Sequence, residues 1–143
     1  MNVLSLLNTK GHGIISLKST DTITDAVSLL CGEKIGAVVV LDDAGALKGI
    51  LSERDIMHGI GKSGASVLNK TVGDLMTASV ETCSQDDSIG SIMRRMTEGR
   101  FRHVPVMDDG KLIGMVSIGD LVKHRMKELE NEANAMRDYI AGG

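Results

Sequence analysis

The sequence predicts an α/β (α+β) fold: tandem βαββα repeats packed about a pseudo-twofold axis, with a long C-terminal helix. Three observations predict it. Two blocks of the chain match each other in register. Within each block, apolar residues switch between helical and strand spacing. A heptad-like apolar stripe runs to the C-terminus without Pro.

The register is read from paired residues. Ile23, Val27 and Leu30 meet Ile89, Met93 and Met96 at an offset of 66 (89 − 23). Val38-Val39-Val40-Leu41-Asp42-Asp43 meets Val104-Pro105-Val106-Met107-Asp108-Asp109 at the same offset. One residue then drops out at a turn, so Gly45, Leu47, Gly49, Ser52 and Asp55 meet Gly110, Leu112, Gly114, Ser117 and Asp120. A hairpin loop is where a fold tolerates such a length change.

Each copy reads as strand, helix, strand, strand, helix. Ile14-Ile15-Ser16 and Val80-Glu81-Thr82 are the expected first strands. Asp21 or Thr20, and Asp86 or Asp87, are the expected caps of the helices that follow. Those helices carry apolar stripes at Ile23, Ala26, Val27, Leu30 and at Ile89, Ile92, Met93, Met96, spaced i, i+3, i+4, i+7. Ala37 to Leu41 and Val104 to Met107 are rich in β-branched residues, as buried strands are. Asp42-Asp43-Ala44-Gly45 and Asp108-Asp109-Gly110 are tight turns, and Leu47–Leu51 and Leu112–Val116 return antiparallel. Gly59 to Lys70, rich in Gly and Ser, is the expected linker. Residues 1–65 thus hold the first repeat with its N-terminal segment, and 66–125 hold the second. A half of about 60 residues has a marginal core, which favours packing the two sheets on each other.

Residues 118–141 form the extended helix. Val122, Met126, Leu129, Ala133, Met136 and Ile140 are spaced 4, 3, 4, 3, 4, the rhythm of a coiled-coil seam. Charges flank it: Lys123, Arg125, Lys127, Glu128, Glu130, Glu132, Arg137, Asp138. One reading packs this helix on its own domain. The other pairs it with its copy in a second subunit.

Composition excludes several classes. The 143 residues carry a net charge of −3 and two aromatics, Phe101 and Tyr139. A nucleic-acid binder needs a basic face and stacking residues, so none is expected. At 42% apolar the chain has enough material for a core built from Val, Ile, Leu, Ala and Met. No apolar run approaches the ~20 residues of a membrane span. The start, Met1-Asn2-Val3-Leu4, has no basic region or cleavage site, so no signal peptide is expected. Cys31 and Cys83 show no metal or redox spacing and read as reduced packing residues of a cytoplasmic protein. His12, His58 and His124 share no metal-ligand spacing and read as surface residues. Gly61-Lys62-Ser63 is not a phosphate-binding loop, because Ile56 stands where that motif needs Gly.

The strongest local pattern occurs twice: Gly49-Ile50-Leu51-Ser52-Glu53-Arg54-Asp55 and Gly114-Met115-Val116-Ser117-Ile118-Gly119-Asp120. Each is a strand ending in Ser, then a helix whose first turn holds Asp. Hydroxyl and free backbone N–H groups at a helix start suit a phosphate. The two oxygens of the Asp suit a ribose diol. The plainer reading is an N-cap with an acidic first turn. Arg102-His103 precedes the second core strand near Ser117 and suits phosphate charge. The first copy has Gly36-Ala37 there, so the two clefts should differ, with Arg54 in place of Gly119 compensating.

The doubled unit, the Arg102-His103-Val104-Pro105-Val106 strand and both Gly-x-x-Ser-x-x-Asp patterns resemble a pair of cystathionine-β-synthase (CBS) domains, a Bateman module of the stand-alone bacterial type. The resemblance covers roughly residues 10 to 125. It implies a non-catalytic energy or redox sensor that binds AMP, ADP, ATP, NAD(H) or S-adenosylmethionine and requires no cofactor. By this resemblance the adenine sits near Ile14-Ile15-Ser16 or Val80-Glu81-Thr82 against the core strand at Val104 and Pro105. Asp55 and Asp120 hold the ribose, Ser52 and Ser117 the phosphate, and Arg102 and His103 its charge. It also implies a disc-like homodimer and a regulated protein partner. The first cleft, lacking the Arg-His pair and with Val39 where the second has Pro105, is expected to be weaker. The competing expectation is a structural or adaptor homodimer with vestigial clefts. No nucleophile, base or metal set supports an enzyme.

Overall fold

The computed structural model describes residues 2–11 and 13–142, so the expectation for His12 lies outside the described residues. Helix α1 (Val3–Lys10) comes first. The first repeat follows as β1 (Ser16–Leu17), α2 (Ile23–Glu33), β2 (Ala37–Leu41), β3 (Leu47–Ser52) and α3 (Glu53–Ser63). A 3-10 turn (Gly64–Asn69) and short α4 (Val72–Leu75) lead to the second: β4 (Cys83–Ser84), α5 (Ile89–Gly99), β5 (His103–Asp108), β6 (Lys111–Ser117) and α6 (Ile118–Gly142). Each repeat forms a three-stranded sheet, in the orders β1-β2-β3 and β4-β5-β6. In both, the first pair is parallel and the second antiparallel.

The first strands are shorter and later than expected. Only Ser16 and Leu17 pair with Val39 and Val40, and only Cys83 and Ser84 pair with Val106 and Met107. Ile14, Ile15, Val80, Glu81 and Thr82 precede the ladders. The helix caps are also one residue later. Thr22 and Ser88 accept from the backbone N–H groups of Asp25 and Ser91. Asp21 and Asp87 instead turn back and accept from the N–H groups of Lys18 (2.8 Å) and Ser84 (2.9 Å). Both helices end in a left-handed residue at equivalent positions, Lys34 (φ 55°) and Arg100 (φ 56°). Helical structure also covers most of the expected linker. α3 runs through Gly59, where a Cβ would come within 2.7 Å of the Leu75 side chain, and Val67 of the 3-10 turn is buried.

Two apolar clusters result, one per repeat, and each borrows a piece of chain from outside its own repeat. Val3, Leu6 and Leu7 of α1 are buried with Ile89, Ile92, Val104, Val116 and Leu121 of the second repeat. The N–H groups of Val3 and Leu4 donate to the Asp87 and Gln85 carbonyls, both at 2.9 Å. Val67 and Val72, from the segment joining the repeats, are buried with Ile23, Ala26, Val38, Val40 and Leu51 of the first. Burying such a side chain is worth about 1.5–3 kcal/mol, so these docked segments help to offset the small size of each half.

Strand alternation turns Val38 and Val40 of β2 into this core. Ala37 and Val39 point the other way, and both are fully buried. They line a cavity with His103 and Met115 of the second sheet, so the two sheets face each other across it. No helix is long and apolar enough to cross a membrane among the described residues.

Candidate nucleotide-binding clefts

Two cavities of about 400 and 430 Å³ open between the repeats, and each is assembled from both. The first lies at the start of α3. Ser52, Glu53, Arg54 and Asp55 form one wall, and Val80, Glu81, Arg100, Arg102 and His103 form the other. The second lies at the start of α6. Ser117, Asp120 and Met115 face Lys10, Ile14, Ile15 and Lys34. Gly36 and His103 line both. The linings correspond through the repeat: Ile14 matches Val80, Lys34 matches Arg100, and Gly36 matches Arg102.

Both carboxylates are held by reciprocal capping. The Ser52 N–H donates to Asp55 Oδ2 at 2.9 Å, and the Asp55 N–H donates to Ser52 Oγ at 3.2 Å. Ser117 and Asp120 repeat this at 3.0 and 3.1 Å. The plainer reading of the motif is therefore realised, and it aims each Asp into its cleft. The remaining contacts of the two carboxylates differ. Asp55 Oδ1 meets only the Thr77 hydroxyl, at 3.4 Å. Among the described residues no cation pairs with Asp55. Asp120 Oδ2, the oxygen that also accepts the Ser117 N–H, pairs with the Lys10 ammonium, which donates as well to the Met115 carbonyl at 2.7 Å.

Burial by itself raises the Asp120 carboxyl. The Lys10 and Ser117 bonds outweigh it and hold the group below the usual carboxylate range. His103 is pushed below its ordinary value, first by burial and then by the Lys10 charge. Asp120 and Glu53 oppose this.

The structure gathers Ser52, Arg54, Asp55, Val80, Arg102 and His103 in one cleft and Ile15, Ser117, Asp120 and His103 in the other. Arg102 corrects the expectation. Its carbonyl does accept the Ile118 N–H at 2.8 Å, beside Ser117. Its side chain, however, lines the Asp55 cleft and not the Asp120 cleft. Arg102 lies in a bend just before β5, so its backbone contact does not fix its side chain's cleft. Thr82, Val104 and Pro105 line neither cavity. The Thr82 carbonyl accepts from Arg95 at 2.7 Å, Val104 is core, and Pro105 is buried within β5. Sequence reasoning missed Lys34 and Arg100, although the repeat alignment pairs them. It missed Lys10 and Thr77 because only the fold carries α1 and the α4 exit to the clefts. His58 is exposed as expected, whereas the His124 ring is mostly covered, 3.3 Å from Glu128. Cys83 is buried as expected, but Cys31 is exposed.

The family model of the CBS domain matches residues 10–62 and 72–127. The chain belongs to the CBS domain family. This CBS pair is 39% identical over 127 residues to the mitochondrial CBS domain-containing protein CBSX3 of Arabidopsis thaliana, covering 86% of this chain and 62% of that protein. It therefore spans under two thirds of that relative's length. It superposes on a CBS-domain protein of Agrobacterium tumefaciens with a TM-score of 0.86 at 41% identity, covering 87% of this chain and 99% of the other. Another similar structure is a CBS domain pair in complex with 5′-methylthioadenosine and S-adenosyl-L-methionine. Its TM-score is 0.77 at 25% identity, covering 86% and 98% of the two chains.

Proposed function

We propose that this CBS pair is a non-catalytic regulatory module of the cytoplasm that binds an adenosine-containing nucleotide of the AMP, ATP or NAD(H) class. In this reading it works as a homodimer, and a protein partner senses its ligand state as energy or redox signal. The observation that carries the reading is the Asp55 cleft. Among the described residues no ion pair forms with its carboxylate, and Arg54, Arg100 and Arg102 line its walls. A carboxylate oxygen suits a ribose hydroxyl, and guanidinium groups suit phosphate oxygens at the N-terminus of a helix. The adenine is assigned to the apolar wall at Ile50 and Val80, and the complexed relative supports an adenosine ligand in such a pair. The Asp120 cleft takes second rank here, because the Lys10 ammonium already pairs with one oxygen of its carboxylate.

Calorimetry and melting curves with AMP, ATP, NADH and S-adenosylmethionine test the reading. Ligand at ~100 times its dissociation constant adds ~2.7 kcal/mol to stability. Arg102→Ala should weaken a phosphorylated ligand by ~1.5–3 kcal/mol and leave adenosine nearly unchanged. Substituting a 2′,3′-dideoxy ligand should cost binding in wild type but little in Asp55→Ala. Absence of any stabilisation at millimolar nucleotide would reject the reading in favour of a purely structural homodimer.

A further inference from the structure

The half of α6 beyond the second repeat buries nothing of its own chain. The helix runs from Ile118 to Gly142, yet its one buried residue is Leu121. Every described residue from Leu129 onward is exposed, including Leu129, Met136 and Ile140 (48%, 60% and 71%). An apolar stripe on an unsupported helix of this length lacks the packing that stabilises most protein helices. Charge identifies what covers it. With Met126, Ala133 and Ile140 at heptad position a and Val122, Leu129 and Met136 at position d, the e positions hold Lys123, Glu130 and Arg137. The g positions hold Arg125, Glu132 and Tyr139.

In a parallel, in-register pair each g residue faces the e residue five places later on the partner. Arg125 then faces Glu130 of the partner subunit, and Glu132 faces Arg137 of the partner subunit. Symmetry doubles both, giving four attractive pairs and no repulsive one at these positions. An antiparallel pair centred on the same stripe sets Glu130 against its own copy, Glu132 against its own copy, and Lys123 against Arg137. All of those repel.

We infer that residues 122–140 of α6 form a parallel, in-register two-stranded coiled coil with a second copy of this chain, which carries both CBS pairs at the same end. This deepens the homodimer part of the reading above and is independent of what the clefts hold. The stripe spans under three heptads, so the dimer should dissociate on dilution.

The full chain is measured by sedimentation equilibrium, followed by oxidative cross-linking of Met136→Cys in a Cys31→Ser background. The expected mass is twice 15.2 kDa. The cysteine at 136 should cross-link, because position d meets its own copy only in the parallel register; antiparallel packing sets 136 against 126. Glu130→Lys with Glu132→Lys should raise the dissociation constant about tenfold or more. Adding Arg125→Glu and Arg137→Glu should restore it. All four positions are exposed, so thermal melts of the module check that folding is intact. A monomer at high concentration overturns the inference. A dimer that ignores the charge reversal, or that fails to cross-link at 136, also overturns it while leaving a homodimer through another face.

Discussion

Replacing Lys10 with Met tests how the Asp120 cleft is held. The ammonium joins the Asp120 carboxylate and the Met115 carbonyl, tying α1 to β6 and α6. Both charged side chains keep about a third of their surface in water (35% and 28% exposed), so the ion pair is worth about 0.5–1 kcal/mol. The bond to the carbonyl adds about 1 kcal/mol. Methionine retains the apolar stem, so the loss should total about 1.5–2 kcal/mol and lower Tm by ~3–8 °C. Acid should remove the ion-pair share of the difference and leave the carbonyl bond's share. Asp120 has a native pKa below its unfolded value of ~3.9, so its contribution is complete above that value and disappears as pH falls through the native one. Urea melts of the two proteins should separate most at pH 7 and draw closer, without meeting, as the pH falls below the unfolded value. Because Lys10 also helps to depress His103, the His103 pKa measured by NMR should rise in the variant. Equal stability at pH 7, a gap that widens in acid, or a His103 value that stays put would refute this account.

The thiols should separate cleanly. Burial pushes Cys83 up to about 11, with the Asp87 charge adding to it, whereas Cys31 is exposed. A chromogenic disulfide reagent at pH 8 should titrate one thiol per native chain quickly and the second only in denaturant; two fast thiols would contradict the packing of β4. The matched glycines of the repeat should differ in cost. A Cβ on Gly49 comes 2.7 Å from the Thr77 carbonyl oxygen, which is backbone, whereas one on Gly114 meets the tip of the Leu7 side chain at 2.8 Å. Gly49→Ala should therefore lose about 1–3 kcal/mol in denaturant melts and Gly114→Ala less, because a leucine tip can rotate away. The reverse order would be inconsistent with these approaches.

The doubled architecture was legible because hydrophobic spacing and turn residues recur in register, and Ser52, Asp55, Ser117 and Asp120 fell out of the same alignment. The first strands were misplaced because a ladder of two residues leaves almost no periodic trace. Thr22 and Ser88 lost to neighbouring Asp residues as caps because adjacent Asx and hydroxyl side chains are chemically alike. Arg102 could not be assigned to its cleft from the chain, since that depends on which way one side chain leaves the bend before β5. Lys10 was illegible for a different reason: it lies far in sequence from Asp120, and only the docking of α1 on the second repeat unites them.

That exchange of segments has a thermodynamic corollary. Each half owns part of the other's interior, so neither can lose its structure without exposing apolar surface in its neighbour. The sequence period is not an independent unit of stability, and the described molecule should melt in a single cooperative transition.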